Sequence, residues 1–190
     1  GVPAILNRIS FSGELGYEIY VAPQFHLKLF EEIEANGKDL GLKLYGSRAL
    51  MSLRLEKNWG VWTLDFRPDF TALESGLDAF INWDKNFVGK EATLNEKKQG
   101  PNKKLVTMTV DTNNIDVTND EAILKDNQCV GYVTSGGYAH HIKKSMALGY
   151  VPTKLSKHKT ILNIEINGKL YNAHVTDRPL YDANSGRMKS

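Results

Sequence analysis

Hydrophobic residues change rhythm along the chain, and the change divides it in two. Ile5–Phe11 and Tyr17–Val21 are strand-like runs, and Ser12-Gly13-Glu14-Leu15-Gly16 between them carries two glycines suited to a tight turn or bulge. Phe25, Leu29, Phe30 and Ile33 then recur at helical spacing, with Glu31, Glu32 and Glu34 on the other side. Asn36-Gly37 stops that helix. A second helix is predicted from Ser47, a residue type that caps helix N-termini, to about Lys57. Ala49, Leu50, Met51 and Leu53 form its expected buried stripe. Trp59-Gly60-Val61-Trp62 is an aromatic exit from the helix, and Arg67-Pro68-Asp69 reads as a turn.

The rhythm shifts near Asn95. Glu96 to Lys104 is a polar connection containing Gly100-Pro101, and it marks the expected domain boundary. Beyond it come short β-type runs at Leu105–Val110, Ala122–Leu124, Gln128–Thr134, Ala147–Val151, Ile161–Ile166 and Leu170–Val175. Asn167-Gly168 between the last two predicts a type I′ hairpin. Closely spaced short strands predict a small antiparallel barrel or sandwich. The expected class is α+β, with a partial α/β domain over residues 1–99 and a small antiparallel β-barrel domain over 100–190.

Composition narrows this little. Of 190 residues, 41% are apolar and 24% charged, ordinary values for a globular domain. No run approaches the ~18 apolar residues of a membrane-spanning helix. The net charge of +2, with both signs mixed along the chain, is too weak for a nucleic-acid footprint. The single cysteine, Cys129, excludes an internal disulfide and fits a reducing compartment, so a cytoplasmic location is expected, or the mitochondrial matrix in a eukaryote. The start, Gly1-Val2-Pro3, shows no initiator Met and no signal-peptide pattern, and it reads as a piece of a longer protein.

Self-contained catalytic signatures are missing: there is no GxxxxGK[ST], HExxH or GxSxG. Cys129 is expected to be a half-buried strand residue. His140-His141 point apart on an extended chain and lack the further ligands of a metal site, so no metal is expected. Ser135-Gly136-Gly137-Tyr138 reads as a flexible barrel loop, and Lys103-Lys104 and Lys143-Lys144 as solvated faces. The stretch from Arg8 to Tyr20 differs. Glu14 and Glu18, four positions apart, could converge on one concave site. A carboxylate there suits a ligand that presents an amino group beside a ring N–H, the edge found on pterins and purines. Arg48 and Arg54, six positions apart on the second helix, do not share a face. One could clamp a ligand carboxylate while the other serves an internal salt bridge. Read as ordinary surface ion pairs, they would meet Glu56 or Asp65.

Arg8-Ile9-Ser10-Phe11-Ser12-Gly13-Glu14-Leu15-Gly16-Tyr17-Glu18-Ile19-Tyr20 resembles the R-x-S-Y-T-G-E-x-G-Y/W-E-L/I signature of the aminomethyltransferase superfamily. Further blocks follow in order, at Tyr45–Lys57, Leu73–Leu77, Phe87–Ala92, Gly131–Tyr138 and Lys144–Pro152. Arg54-Leu55-Glu56-Lys57 with the later Trp62 and Arg67-Pro68 is most similar to the dimethylglycine and sarcosine dehydrogenase branch. The resemblance implies a tetrahydrofolate-binding region that captures a one-carbon unit from a small-molecule donor. In that branch an upstream flavin domain carries FAD; the alternatives are a glycine-cleavage aminomethyltransferase or a non-catalytic folate-binding module. Carried over by position, Glu18 would bind the pterin edge and Arg48 would lie near the folate. Glu14 would shape the turn, with Phe11 and Tyr20 in the same motif. The family's catalytic aspartate has no counterpart here and is expected upstream. Phe11 stands where relatives often have Tyr, and Ala79 where they have Trp or Tyr.

Overall fold

The computed structural model describes residues 1–177 and 179–190. Its second half is a closed antiparallel barrel of six strands: β3 (Lys103–Val110), β4 (Ala122–Lys125), β5 (Gln128–Ala139), β6 (Lys144–Pro152), β7 (Ile161–Ile166) and β8 (Lys169–Thr176), in the spatial order β3-β6-β5-β4-β7-β8. Pairing of Thr107–Val110 with Ala173–Thr176 closes the ring and leaves no free edge. Leu162, Ile164 and Ile166 alternate inward from β7 and meet Val106, Met108, Ala173 and Val175 in the interior. The β7–β8 hairpin turns on Asn167 and Gly168, both with positive φ (49° and 75°), as the Asn-Gly pair predicts.

β6 is buried on both faces. Ala147 and Val151 belong to the barrel interior, whereas Met146 and Leu148 point outward and pack with Leu55 and Ala139. Tyr150 also points away from the interior and stacks on Phe70, with ring centroids 3.5 Å apart. The outer cover is the first half of the chain. That half holds a two-stranded antiparallel sheet of β1 (Ala4–Asn7) and β2 (Glu18–Val21), then α1 (His26–Gly37), α2 (Ser47–Glu56) and α3 (Lys90–Gln99). It is thinly packed: α1 buries none of its residues, and Ile5 and Leu6 of β1 are 65% and 60% exposed. None of the helices is long and apolar enough to cross a membrane among the described residues.

Several local expectations change. The strands of the first sheet are shorter than the apolar runs, because Arg8 to Tyr17 is a loop. Ser47 is not the cap of α2 but its first residue; Gly46 occupies the cap position. The buried part of α2 is Arg54, Leu55 and Glu56 at its end, while Ala49 is exposed, since only the last turn is covered by the barrel and the turn before it touches β5 through Ser52 alone among the hydrogen bonds of the described residues. The polar connection is helical up to Gln99, and Gly100, at φ 82°, ends it. Cys129 is exposed rather than half-buried, lying beside the Asp126-Asn127 turn between β4 and β5.

Ser135-Gly136-Gly137-Tyr138 is not a flexible loop. All four residues lie inside β5, which runs to Ala139 and pairs with β6 along this stretch after an irregularity between Val133 and Ser135. Gly136 reflects close approach: a Cβ there would lie 2.4 Å from the Val117 carbonyl oxygen. Backbone cannot yield as a flexible side chain does, so Gly136→Ala is expected to destabilise the chain by about 2 kcal/mol or more. Urea unfolding followed by far-UV circular dichroism checks this; an unchanged midpoint would refute the packing argument.

Candidate functional site

The last turn of α2 is where charged residues enter the interior. Arg54 is 2% exposed and Asp65 0%. Arg54 Nη1 donates to Asp65 Oδ2 at 2.8 Å and to the Trp59 carbonyl at 3.0 Å, and Nη2 donates to Ser135 Oγ at 2.8 Å. The Asp65 carboxylate also accepts from Thr134 Oγ1 at 2.5 Å, Ser135 Oγ at 2.9 Å and the Val61 amide at 2.9 Å. Burial lowers the Arg54 pKa, and the Asp65 charge and hydrogen bond oppose it. Nearby, Tyr150 donates to the Asp65 carbonyl and bonds to Ser75; burial pushes its phenol up to about 12. Arg54 is therefore the arginine serving an internal salt bridge. The pair is with Asp65, as one reading allowed, but in the interior rather than on the surface.

Glu56 reaches the connection between β5 and β6, and Lys57 reaches the C-terminal segment and the loop between β1 and β2. The Glu56 carboxylate accepts from the His141 amide at 2.8 Å and from His141 Nδ1 at 2.5 Å. His141 stacks on Tyr181, with centroids 4.0 Å apart. Lys57 Nζ donates to the Asp182 carbonyl at 2.6 Å and to its carboxylate at 3.0 Å. The stem of Lys57 lies under Gly13, which has φ 85°, and a Cβ there would come within 2.4 Å of Lys57 Cγ. Glu14, the next residue, accepts from Tyr181 Oη at 2.9 Å and from Arg187 Nε at 2.5 Å. Burial raises its pKa, but the bonds from Arg187 and Tyr181 outweigh this and hold it below the usual carboxylate value.

Glu18 opens β2, opposite Asn7, and its Oε2 accepts from the Tyr20 hydroxyl. That bond raises the pKa of Tyr20, which is 51% exposed. The Glu18 and Glu14 carboxylates thus have separate partners: Glu14 is committed to the C-terminal segment, and Glu18 stays accessible beside a phenol. Phe11 is half-buried in the loop. Arg48 stands at the exposed start of α2 and makes no hydrogen bond or ion pair among the described residues. It lines a cleft of about 480 Å³ with Met51, Val117, Gly136, Tyr138 and His140. No contact joins Arg48 to Glu18 among the described residues. No cluster of three or more metal-ligating side chains occurs among them either.

Sequence reasoning missed Tyr181, Asp182 and Arg187, and it weighed His141 only as a metal ligand, not as the partner of Glu56. The polar and aromatic residues after Thr176 were the available signal, but nothing local says where a chain end will dock.

A closed six-stranded antiparallel barrel, covered on one side by an α+β segment with a clamped Gly-Glu loop, defines a narrow class. The GCVT N-terminal domain matches residues 1–85, and the glycine cleavage T-protein C-terminal barrel domain matches residues 103–182. The chain belongs to the aminomethyltransferase superfamily. It is 37% identical over 181 residues to the mitochondrial dimethylglycine dehydrogenase of Mus musculus, covering 94% of this chain and 21% of that protein. It is 35% identical to an aminomethyltransferase of Caldanaerobacter subterraneus, covering 97% of this chain and 49% of that one. The crystal structure of glycine cleavage system aminomethyltransferase T from Bartonella henselae superposes with a TM-score of 0.85 at 25% identity, over 94% of this chain and 50% of that one. The chain spans half or less of the length of these relatives.

Two measurements test the electrostatics. Asp65→Ala leaves Arg54 buried and unpaired, so a loss of about 3–5 kcal/mol is expected on urea unfolding. Glu32→Ala, which removes the exposed Lys28–Glu32 pair, is expected to cost less than about 0.5 kcal/mol. Equal costs would show that the buried pair has no special weight. The second concerns pH. The hydrogen bond from Lys57 lowers the pKa of Asp182, and Glu14 is also lowered. The stability these carboxylates add is present above their unfolded values, near 4. It is lost as pH falls through their lower folded values. The Tm of the wild type is expected to fall more steeply than that of Glu14→Gln between pH 5 and 2. Parallel curves would contradict the assignment for Glu14.

Proposed function

We propose that this chain is the tetrahydrofolate-holding, one-carbon-receiving part of a dimethylglycine dehydrogenase-like enzyme. The observation that carries this reading is the accessible Glu18 carboxylate at the head of β2, in a signature loop that Glu14 and Lys57 hold down. Tyr20 occupies one lone pair of Oε2, so Oε1 and the remaining lone pair of Oε2 can accept in parallel from a pterin amino group and its neighbouring ring N–H. Tyr20 steers the carboxylate and Phe11 offers an apolar face within the same loop. Arg48, an unpaired cation at a cleft, suits a folate carboxylate. Tetrahydrofolate, when bound, supplies the nucleophilic amines. This chain's residues orient the ring and exclude alternative poses, and the proton on the reactive nitrogen is managed by an aspartate outside the chain.

The wider proposal follows the relatives. A flavin domain outside these residues would carry FAD and release the one-carbon unit from an N-methyl amine. The two units divide near residue 99, where α3 ends, and the location is that of the mitochondrial matrix or cytoplasm. An aminomethyltransferase of glycine cleavage is the second reading, supported by the TM-score of 0.85 to such a protein.

Isothermal titration of the chain with 5-formyltetrahydrofolate, a stable folate, tests the site. Glu18→Ala is expected to weaken binding about tenfold or more while leaving the Tm unchanged, because among the described residues the Glu18 side chain bonds only to exposed Tyr20. Undiminished affinity in Glu18→Ala would overturn the assignment.

A further inference from the structure

The β1–β2 loop has little backbone structure of its own. From Arg8 to Tyr17 its one backbone–backbone bond outside the strands, among the described residues, is Ile9 N–H to the Asn7 carbonyl at 3.1 Å. Two serine hydroxyls add support, with Gly13 N–H on Ser10 Oγ and Glu14 N–H on Ser12 Oγ. A loop so weakly bonded would exchange among conformations, and Glu18 lies at its end. What holds it comes from the opposite end of the chain.

We infer that the C-terminal segment Tyr181–Ser190 is a strap that positions the β1–β2 loop and thereby Glu18, with Tyr181 and Arg187 as the positioning residues. The functional half of this inference rests on the reading of Glu18 as the pterin-edge carboxylate. The strap grips the loop twice. Tyr181 and Arg187 bond the two oxygens of Glu14, and the Met188 carbonyl accepts from Arg8 Nη2 at 3.3 Å at the start of the loop. The strap is itself anchored at two places the loop does not supply. Asp182 holds Lys57 at the end of α2, and Tyr181 stacks on His141 of the β5–β6 connection, which Glu56 orients. Its shape is maintained by the Asp182 carboxylate, which accepts from the Gly186 and Arg187 amides at 2.9 and 3.2 Å and so aims Arg187 back at Glu14.

The arrangement has a simple physical consequence. Glu14 is bonded by one residue stacked against the barrel connection and by another aimed from a turn anchored on α2. Two differently directed bonds to one carboxylate fix its position and its rotation, which neither bond does alone. The loop is thereby referenced to the rigid barrel rather than to the thin two-stranded sheet. Removing one grip loosens the loop and leaves the barrel unaffected, because neither Tyr181 nor Arg187 belongs to the barrel interior.

Hydrogen exchange followed by mass spectrometry on the full chain tests the strap, using Arg187→Ala, Tyr181→Phe and Arg187→Lys. In Arg187→Ala, amides from Gly13 to Glu18 are expected to exchange about tenfold faster, while Val106–Val110 of β3 keep their protection. Tyr181→Phe, which keeps the stack on His141 and loses only the hydroxyl, is expected to show a smaller change at the same amides. Arg187→Lys, which retains the charge, is expected to restore most of the protection. Unchanged loop exchange in both Arg187→Ala and Tyr181→Phe would overturn the strap. So would a loss spread equally over β3, since that is general destabilisation. Titration with 5-formyltetrahydrofolate reads the functional half: about tenfold weaker binding in Arg187→Ala, recovered in Arg187→Lys, is expected. Undiminished affinity despite a loosened loop would overturn the coupling to Glu18. A wild type that fails to bind the folate, with the loop loosened as expected, upholds the strap and overturns the proposed function instead.

Discussion

The buried pair of Arg54 and Asp65 is the constraint on which the arrangement of the two halves depends. Two charges removed from water are tolerated only when further hydrogen bonds offset much of their desolvation. Here the partners come from two places, Trp59 and Val61 in the exit from α2 and Thr134 and Ser135 in β5, and Arg54 Nε alone of the guanidinium nitrogens finds none among the described residues. The charges can be satisfied only if α2, its exit and the barrel hold one mutual position. Apolar contacts such as Leu55 on Met146 and Leu148 favour burial but are less demanding of angle. The ion pair therefore supplies direction, and the apolar cluster supplies most of the adhesion.

From that reference point the rest of the first half is placed. The Glu56 and Lys57 side chains leave the end of the same helix and meet the barrel connection and the C-terminal segment. The C-terminal segment in turn bonds Glu14, and the Lys57 stem underlies Gly13. The barrel thus acts as support: its interior is closed and apolar, and its outer face, through β6 and the β5–β6 connection, carries the loop that presents Glu18. Accessible charged side chains, Glu18 and Arg48 among them, lie on the thinly covered sheet and at the start of α2. These are also where large apolar side chains such as Ile5, Leu6 and Tyr45 remain exposed. Membership of the aminomethyltransferase superfamily fits this division between a rigid barrel and an adaptable covering layer.

Local signals were readable where one residue type has one physical use. Asn167-Gly168 announced a hairpin because both residues tolerate positive φ, and both have it. The alternating residues of β7 announced a strand with one buried face. The glycines of Ser135-Gly136-Gly137-Tyr138 were ambiguous, since glycine serves both mobile loops and crowded strands. Only the nearby Val117 carbonyl shows which applies. The α2 stripe was misplaced for a related reason. Helical periodicity identifies an apolar face, but a helix that meets its support end-on buries a turn, and here that turn is largely charged.

The sequence by itself determined the α+β class, the barrel's hairpins and the family signature from Arg8 to Tyr20, because these depend on backbone preferences and on spacing within a few residues. Tertiary structure alone decided which arginine is buried, which of Glu14 and Glu18 is bonded by the C-terminal segment, and that residues from Tyr181 onward hold a loop near the opposite end of the chain. Each of those outcomes turns on desolvation and on partners far away in sequence. The worth of a charge depends on what surrounds it, and that is absent until the chain has folded.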